Sequence, residues 1–224
     1  MSYDFEREKL RVLSRLRYHG VTLTERMKDA FLKVPREEFV LPKYRDQAYV
    51  DTPLPILGGQ TISAIHMVLI YISPVACNPK IGDTVLEVGA GSGYQAALFA
   101  EMVAPEGCKD PGHVYSLEII PELAEFAKKN IERTGYADRV TILCKDGSKG
   151  YPEAAPFDII SVAAAGRKIP KPLIEQLKVN GRLVIPVGRY FYQELMLITK
   201  NKEGDIVKKN LGGVAFVPLT GEYA

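Results

Sequence analysis

A chain of 224 residues with 46% hydrophobic and 25% charged residues has the composition of an ordinary globular protein, large enough for one sizeable core. Its formal net charge of +2 excludes a strong bias toward nucleic acid, and apolar runs such as Met67–Ile72 are too short to cross a membrane. Three widely spaced cysteines, and three histidines without metal-ligand spacing, predict reduced thiols in a cytoplasmic protein with no metal site.

The first 60 residues predict two helices and a loop. Met1–Leu10 lacks the apolar core of a signal peptide. Phe5–Tyr18 predicts a helix that ends near Gly20, and apolar residues at helical spacing predict a second helix over Thr24–Val34, with its first residue as the N-cap. Pro42–Gly59 holds three prolines and two glycines, which predicts a long loop of the kind that often carries function.

Residues 61–187 alternate between strand and helix patterns. The predicted strands are Thr84–Val88, Gly112–Glu118, Val140–Cys144, Asp158–Ala163 and Arg182–Val187, and the predicted helices are Gln95–Val103, Pro121–Arg133 and Lys171–Leu177. This alternation predicts a mostly parallel, doubly wound α/β sheet with helices on both faces.

The pattern changes after residue 188. Glu194–Lys200 and Val214–Leu219 read as strands joined by a turn around Asn201–Asp205. Sequential strands without a crossover helix are most simply antiparallel, so we expect the sheet to end in an antiparallel pair. We expect a single domain overall, in which residues 1–60 pack as helices and loop on a core of residues 61–224.

A glycine cluster follows the first strand of the core. Gly89, Gly91 and Gly93 stand between a strand and a helix, where the absence of Cβ lets the backbone turn sharply and approach a ligand. Their spacing is one residue tighter than the dinucleotide fingerprint. Glu118 ends the next strand, where a ribose partner is expected, and Asp146 follows the third, where it could meet an adenine edge. This pattern favours S-adenosylmethionine over NAD, although the glycines could also merely form a strand–helix turn.

Several segments between about residues 36 and 221 together resemble one known family. They are Arg36–Pro42, Asp46–Tyr49, Leu54-Pro55, Gly59–Ser63, Leu86–Ala97, Asp146-Gly147, Ala155–Asp158, Ile169-Pro170, Gln176-Leu177, Gly181, Pro186–Gly188 and Val214–Leu219. The Gly-Gln-Thr-Ile-Ser and Val-Ala-Phe-Val-Pro-Leu segments among them are typical of protein-L-isoaspartate O-methyltransferases. The chain is therefore similar to enzymes that methylate the isoaspartyl residues left by ageing of Asn or Asp.

The resemblance implies a Rossmann-like fold dependent on S-adenosylmethionine, with S-adenosylhomocysteine as product and isoaspartyl proteins and peptides as substrates for repair. It implies Ser63 as the active-site residue, in a loop that closes over the cofactor. The cofactor contacts that it implies are Thr61, Ile62, Ser63, Gly89, Ala90, Gly91, Ser92, Gly93, Glu118, Ile119, Asp146, Gly147 and Thr220. Substrate contacts would include Val214, Ala215 and Phe216, in a strand that faces the peptide.

The expected substrate suits a chain without an evident general base. An isoaspartyl α-carboxyl group, with a pKa of roughly 3.5, is already ionised at pH 7. Ser63 could donate a hydrogen bond that holds one of its oxygens, or could instead cap a helix that begins near Ala64. His66 is a second candidate donor to the substrate, with a structural role as the alternative. Ile65 stands where the family has proline, which predicts a more mobile loop.

The sequence is also compatible with other functions. Tyr49 and Asp51, in the long loop, are expected to be solvated and not catalytic. A methyltransferase acting on RNA or a small molecule would share the glycine loop, but no basic stripe supports it and Phe157–Ala165 lacks the segment typical of amino-directed enzymes. A non-catalytic cofactor-binding protein and a nicotinamide enzyme are further alternatives. We expect a monomer that binds neither nucleic acid nor membrane.

Overall fold

The computed structural model describes residues 4–18, 21–189 and 192–224. Its helices are α1 (Phe5–Tyr18), α2 (Glu25–Lys33), α3 (Ile65–Ile72), α4 (Tyr94–Val103), α5 (Pro121–Arg133) and α6 (Lys171–Glu175). Its strands are β1 (Leu54–Pro55), β2 (Thr61–Ile62), β3 (Thr84–Val88), β4 (His113–Glu118), β5 (Val140–Cys144), β6 (Phe157–Val162), β7 (Leu177–Arg189), β8 (Tyr192–Lys200) and β9 (Ile206–Val214). None of the helices in these described ranges has the length and apolar character needed to span a membrane.

Seven strands of the described residues form the central sheet, in the order β5-β4-β3-β6-β7-β8-β9. The strands from β5 to β7 pair in parallel, whereas β8 and β9 are antiparallel to their neighbours. The predicted sheet, mostly parallel with an antiparallel end, is confirmed. Because strand order reverses at β3, the carboxyl end of β3 is the switch point at which open α/β sheets bind ligands.

Helices cover both faces of the sheet. Side chains alternate along β3, so Val85 joins one buried cluster and Leu86 the other. Every residue of α4 is buried because the helix lies between the sheet and the N-terminal helices. Apolar residues of α1 and α2 such as Leu16 and Phe31 belong to the same cluster as α4. The N-terminal segment thus adds a third layer behind the wall of the candidate site.

The N-terminal helices follow the sequence pattern. Thr24 is the N-cap of α2 as predicted, since its Oγ accepts from the Met27 N–H at 3.3 Å. The predicted bounds of α1 are confirmed, while its expected end near Gly20 lies outside the described residues. The long loop Pro42–Gly59 is more structured than predicted, because it contains two 3-10 turns and β1, which pairs with β2.

The last strand differs from the prediction. β9 ends at Val214, and the predicted strand Val214–Leu219 is wrong, because the chain there leaves the sheet and forms an isolated bridge between Pro218 and Ala165. β9 is mostly exposed, and its charged residues and glycines give no apolar alternation from which a strand could be predicted. Lysines are nevertheless typical of the edge of a sheet. The turn around Asn201–Asp205 is confirmed by a 2.9 Å hydrogen bond from the first residue's N–H to the last residue's carbonyl.

The boundary between α6 and β7 also differs from the prediction. β7 begins at Leu177, ahead of the predicted start at Arg182, and α6 ends at Glu175. Leu177 pairs with Phe157 on β6. It therefore belongs to the sheet, although its helical pattern assigned it to α6.

Candidate functional site

A cavity of about 280 Å³ opens at the carboxyl ends of β3, β4 and β6. The predicted site residues that line it are Thr61, Ile62, Ser63, Gly89, Ala90, Gly91, Ser92, Glu118, Ile119, Gly147 and Thr220. Further lining residues, for which the sequence predicted no ligand contact, include Gln60, Val68, Glu87, Tyr94, Gln95, Ile120, Leu123, Ala163, Val217, Pro218 and Leu219. Segments far apart in the chain therefore meet at the switch point of the sheet.

The glycine loop forms the floor of this cavity. The Gly91 backbone has φ of +55°, which side chains other than glycine rarely adopt, and its N–H donates to Glu118 Oε2 at 3.0 Å. Gly93 has another role, because it is outside the cavity lining and a Cβ there would lie 3.2 Å from the Ile131 side chain. Its absence of Cβ lets the start of α4 pack closely against α5.

The Glu118 carboxylate is held between two loops. Oε2 accepts from Gly91, and Oε1 accepts from the Ile120 N–H at 3.1 Å. The side chain is buried yet lines the cavity. A carboxylate has about four acceptor sites, so Glu118 retains capacity for ligand hydroxyl groups such as those of a ribose.

Glu87 is a buried acid beneath the glycine loop. The sheet register places it between Ser116 on β4 and Ser161 on β6. Its Oε2 accepts from the Ser116 hydroxyl, whereas Oε1 has no hydrogen-bond partner among the described residues. Burial raises the pKa of Glu87 to about 8, against the opposing effect of the Ser116 hydrogen bond, and the Glu118 charge raises it further. An orphaned oxygen at the cavity wall fits a donor group on a ligand, such as the ammonium of S-adenosylmethionine.

The Asp146 carboxylate is engaged by the chain itself. Oδ1 accepts from the N–H and hydroxyl of Ser148 at 2.9 and 2.7 Å, and Oδ2 accepts from the Glu222 N–H at 2.9 Å. Burial acts to raise the pKa of Asp146, but these hydrogen bonds outweigh it and the pKa lies below its usual value. Gly147 lines the cavity, whereas Asp146 lies behind it and anchors the C-terminal segment.

Ser63 is half-buried at the cavity wall between β2 and α3. Its hydroxyl makes no hydrogen bond within the described residues, while its carbonyl accepts from Arg36 Nη2 at 2.8 Å. The alternative that Ser63 caps α3 is wrong, because the N-cap residue is Ala64. The Ser63 hydroxyl therefore remains available to a ligand.

Asp51 and His66 hold the segment after Ser63. Asp51 Oδ1 accepts from both the backbone N–H and ring Nδ1 of His66, at 2.9 Å each. The imidazole lies outside the cavity lining, so the structure does not bring His66 next to Ser63's hydroxyl within the cavity. Ile65, fully buried as the first residue of α3, stands where proline is also accommodated in helices.

The structure buries Tyr49, contrary to the expectation of a solvated loop residue. Its ring packs edge-on against Phe31, with centroids 6.1 Å apart. Its hydroxyl donates to Glu37 Oε2 at 2.5 Å and accepts from the Arg36 N–H at 3.2 Å. The 3-10 turn before Tyr49 carries it back under α2, a tertiary effect that a loop-like composition does not reveal.

The C-terminal segment reaches the cavity a few residues further along the chain than predicted. Val214, Ala215 and Phe216 lie outside the cavity lining, whereas the residues from Val217 to Thr220 line it. Phe216 is held by both ends of the Gln193 amide, with hydrogen bonds of 2.7 and 3.0 Å. The segment therefore runs from the sheet edge across the mouth of the cavity.

Some lining residues carried a usable sequence signal. Glu87 is an acid in an otherwise apolar buried strand directly before the glycine loop. Tyr94 and Gln95 open the helix after that loop, so they face the same end of the sheet. Contacts such as Val68 and Leu123 depend on tertiary packing and gave no local signal.

Comparisons with known proteins agree with this geometry. The family model described as protein-L-isoaspartate(D-aspartate) O-methyltransferase (PCMT) matches residues 7–224. A protein-L-isoaspartate O-methyltransferase of Staphylothermus marinus is 54% identical over 223 residues, covering 100% of this chain and 98% of the relative. One of Hyperthermus butylicus is 52% identical, covering 98% and 91%.

A solved structure extends the likeness to three dimensions. It is a protein-L-isoaspartate O-methyltransferase from Plasmodium falciparum in complex with S-adenosyl-L-homocysteine. It is 30% identical with a TM-score of 0.82, covering 95% of this chain and 98% of that one.

Proposed function

The chain belongs to the protein-L-isoaspartate(D-aspartate) O-methyltransferase family, and we propose how its cavity carries out the methylation. The protein is an S-adenosylmethionine-dependent methyltransferase that acts on isoaspartyl residues. One observation supports the proposed site most: the Ser63 hydroxyl, which has no hydrogen-bond partner in the described ranges, shares a cavity with the glycine loop and Glu118.

The residues present fit the cofactor. Glu118 would hold the ribose hydroxyls, the orphaned Glu87 Oε1 would take a donor group, and Gly89 and Gly91 would let the backbone approach. When bound, S-adenosylmethionine supplies a methyl group on a sulfonium, which an oxygen nucleophile attacks in line. Gly147 and Thr220 would complete the enclosure of the cofactor. Gly93 and Asp146 would act indirectly, by holding the loops that contact it.

The Ser63 hydroxyl positions the substrate. It donates a hydrogen bond to one oxygen of the isoaspartyl carboxylate and leaves the other oxygen to attack. The carboxylate is already ionised at pH 7, so no side chain needs to remove a proton. Holding two reacting groups in line can contribute about 7–11 kcal/mol, which makes alignment the main task of the protein.

The cavity wall supports this role. Apolar side chains such as Val68, Ile120 and Leu123 exclude water that would otherwise solvate the carboxylate. Burial raises the pKa of Glu87 to about 8 in the protein without ligand, so this acid is mostly protonated at pH 7 before the cofactor binds.

The test compares two peptides that differ in one linkage. Purified protein is incubated with S-adenosylmethionine and either an isoaspartyl peptide or its aspartyl counterpart, and methanol release from the methyl ester is measured. We expect transfer to the isoaspartyl peptide alone. Equal rates on the two peptides would contradict the assignment.

The surroundings of the substrate are also proposed. Val214, Ala215 and Phe216 would contact parts of the peptide outside the cavity, and His66 would do so from the opposite wall. We further propose a cytoplasmic monomer whose partners are isoaspartyl proteins and peptides, without nucleic acid or membrane. Three free thiols and a net charge of +2 support this proposal.

A further inference from the structure

A buried cation lies directly behind Ser63. Arg36, in the 3-10 turn Arg36–Glu38, is fully buried and makes no ion pair within the described part of the chain. Its Nε donates to the Ala48 carbonyl at 2.7 Å and its Nη2 donates to the Ser63 carbonyl at 2.8 Å. Arginine keeps its charge in proteins, so these two charge-assisted hydrogen bonds offset a large desolvation cost.

The same guanidinium also contacts the part of the cavity wall that the start of α4 forms. Its central carbon lies 4.9 Å from the centroid of the Tyr94 ring, and Tyr94 lines the cavity at the start of α4. Arg36 Nη1 and the Tyr94 hydroxyl are both buried without hydrogen-bond partners among the described residues. Arg36 is therefore a bridge between the Ser63 segment and the helix that follows the glycine loop.

The Ser63 carbonyl is a sensitive place for such a contact. The hydroxyl that would hold the substrate belongs to the same residue, so a shift of the Ser63 backbone that follows its carbonyl also displaces the hydroxyl. On the far side of Ser63, Asp51 already fixes the backbone through the His66 N–H. Arg36 thus holds the Ser63 backbone through the Ser63 carbonyl. A misplacement of about 1 Å at a reacting centre can cost about 100-fold in rate.

We propose that Arg36 is a positioning residue, which sets the Ser63 hydroxyl against the glycine-loop side of the cavity through the Ser63 carbonyl and the Tyr94 ring. This inference rests on the proposed function. It assigns to a residue outside the cavity an effect on turnover beyond its effect on stability.

A double-mutant cycle tests the proposal. Arg36→Met is made in the wild type and in Ser63→Ala, and kcat and KM are measured on an isoaspartyl peptide below the unfolding temperature of every variant. We expect kcat to fall about ten- to hundredfold in the wild type and no further than Ser63→Ala lowers it, with KM for the cofactor changing less than about threefold. In the Ser63→Ala background the same change should cost less than about threefold in kcat. Equal losses in the two backgrounds would overturn the proposal.

Arg182 offers a matched control. It also donates to two backbone carbonyls, of Ala76 and Pro74, at 2.5 and 3.3 Å, but beyond the far end of α3 from Ser63. Arg182→Met should lower stability without a loss in kcat greater than about twofold. A loss as large as that of Arg36→Met would show that any lost arginine–carbonyl bridge slows turnover, which refutes a specific role for Arg36.

Two further measurements cover a poorly folding variant. Arg36→Lys keeps the cation but lacks the rigid fork that reaches both carbonyls, and we expect a loss of about tenfold in kcat that also disappears in Ser63→Ala. In the wild type, the Arg36 Nε–H resonance should shift when the isoaspartyl peptide binds but not with the aspartyl peptide. An unchanged resonance at saturating peptide would refute the proposal, whereas absence of methylation by the wild type would instead refute the proposed function.

Discussion

At the scale of single residues, the Ser63 hydroxyl is the group on which the proposed chemistry depends. A hydrogen bond to a charged group contributes about 1.5–3 kcal/mol, so we expect Ser63→Ala to lower kcat/KM on an isoaspartyl peptide about ten- to hundredfold. Affinity for S-adenosylhomocysteine should change less than about threefold. Steady-state kinetics and calorimetric titration measure the two effects.

Ser73 provides the control for this substitution. It lies at the other end of α3, where its hydroxyl donates to the Ile70 carbonyl at 2.7 Å. Ser73→Ala should lower stability and leave kcat/KM unchanged. An unchanged kcat/KM for Ser63→Ala would remove Ser63 from the mechanism.

Glu87 makes a prediction about pH. Because burial raises its pKa to about 8 from an ordinary 4.5, the folded protein keeps a proton that the unfolded chain releases. The contribution of this group to stability is therefore full below about pH 4.5 and is lost as pH rises toward about 8. Glu87→Gln should flatten this decline by up to about 1.4 kcal/mol per pH unit, measured by urea unfolding of the ligand-free protein between pH 5 and 8.

The control for Glu87 is the same substitution at an exposed acid. The Glu106 side chain is 87% exposed, so Glu106→Gln should leave the wild-type pH dependence in place. Stability curves of wild type and Glu87→Gln that stay parallel from pH 5 to 8 would contradict the raised pKa.

At the scale of elements, the C-terminal segment is tied to the β5 side of the cavity. The Glu222 and Tyr223 N–H groups donate to Asp146 and Ser148 at 2.9 and 3.0 Å. Gly221 allows this approach, because a Cβ there would lie 2.1 Å from Asp146 Oδ1. These contacts hold the preceding residues against the cavity.

Breaking this attachment should weaken cofactor binding. Gly221→Ala also strains a backbone with φ of +133°, so the segment should detach and the affinity for S-adenosylhomocysteine should fall about three- to tenfold in calorimetric titration. Lys149→Met removes a 2.6 Å ion pair with Glu222, but both side chains are exposed and such pairs contribute little. Equal affinities for Gly221→Ala and Lys149→Met would contradict the attachment.

The success of sequence-based prediction also varies between elements. β3, its glycine loop and α5 have local patterns strong enough to predict their type and place. β9 was missed because an exposed edge strand needs no apolar alternation, and its polar residues resemble a loop. Glu118 was predicted as a ribose partner, and the structure places it in the cavity lining. The engagement of Asp146 by the C-terminal segment joins residues 76 positions apart, which no local pattern contains.

At the scale of the whole molecule, one buried acid links the N-terminal layer to the core. Glu101 on α4 contacts Arg139 Nη1 at 3.1 Å and Lys33 on α2 at 3.2 Å. Glu101 is 8% exposed, so these contacts are screened less than those of a surface pair. The cluster lies at the end of α4 away from the glycine loop, which separates its effect on stability from its effect on the site.

Glu101→Gln should therefore destabilise the protein without changing its catalysis. Removing the buried charge that pairs with Arg139 and Lys33 should lower the free energy of unfolding by about 1–3 kcal/mol, while kcat stays within about twofold of wild type. The control is Glu125→Gln, whose ion pair with Lys129 on the surface of α5 joins two exposed side chains and should contribute less than about 0.5 kcal/mol. Urea unfolding measures both changes. A parallel loss of stability and kcat in Glu101→Gln would mean that the N-terminal layer transmits strain along α4 to the cavity, contrary to the independence expected here.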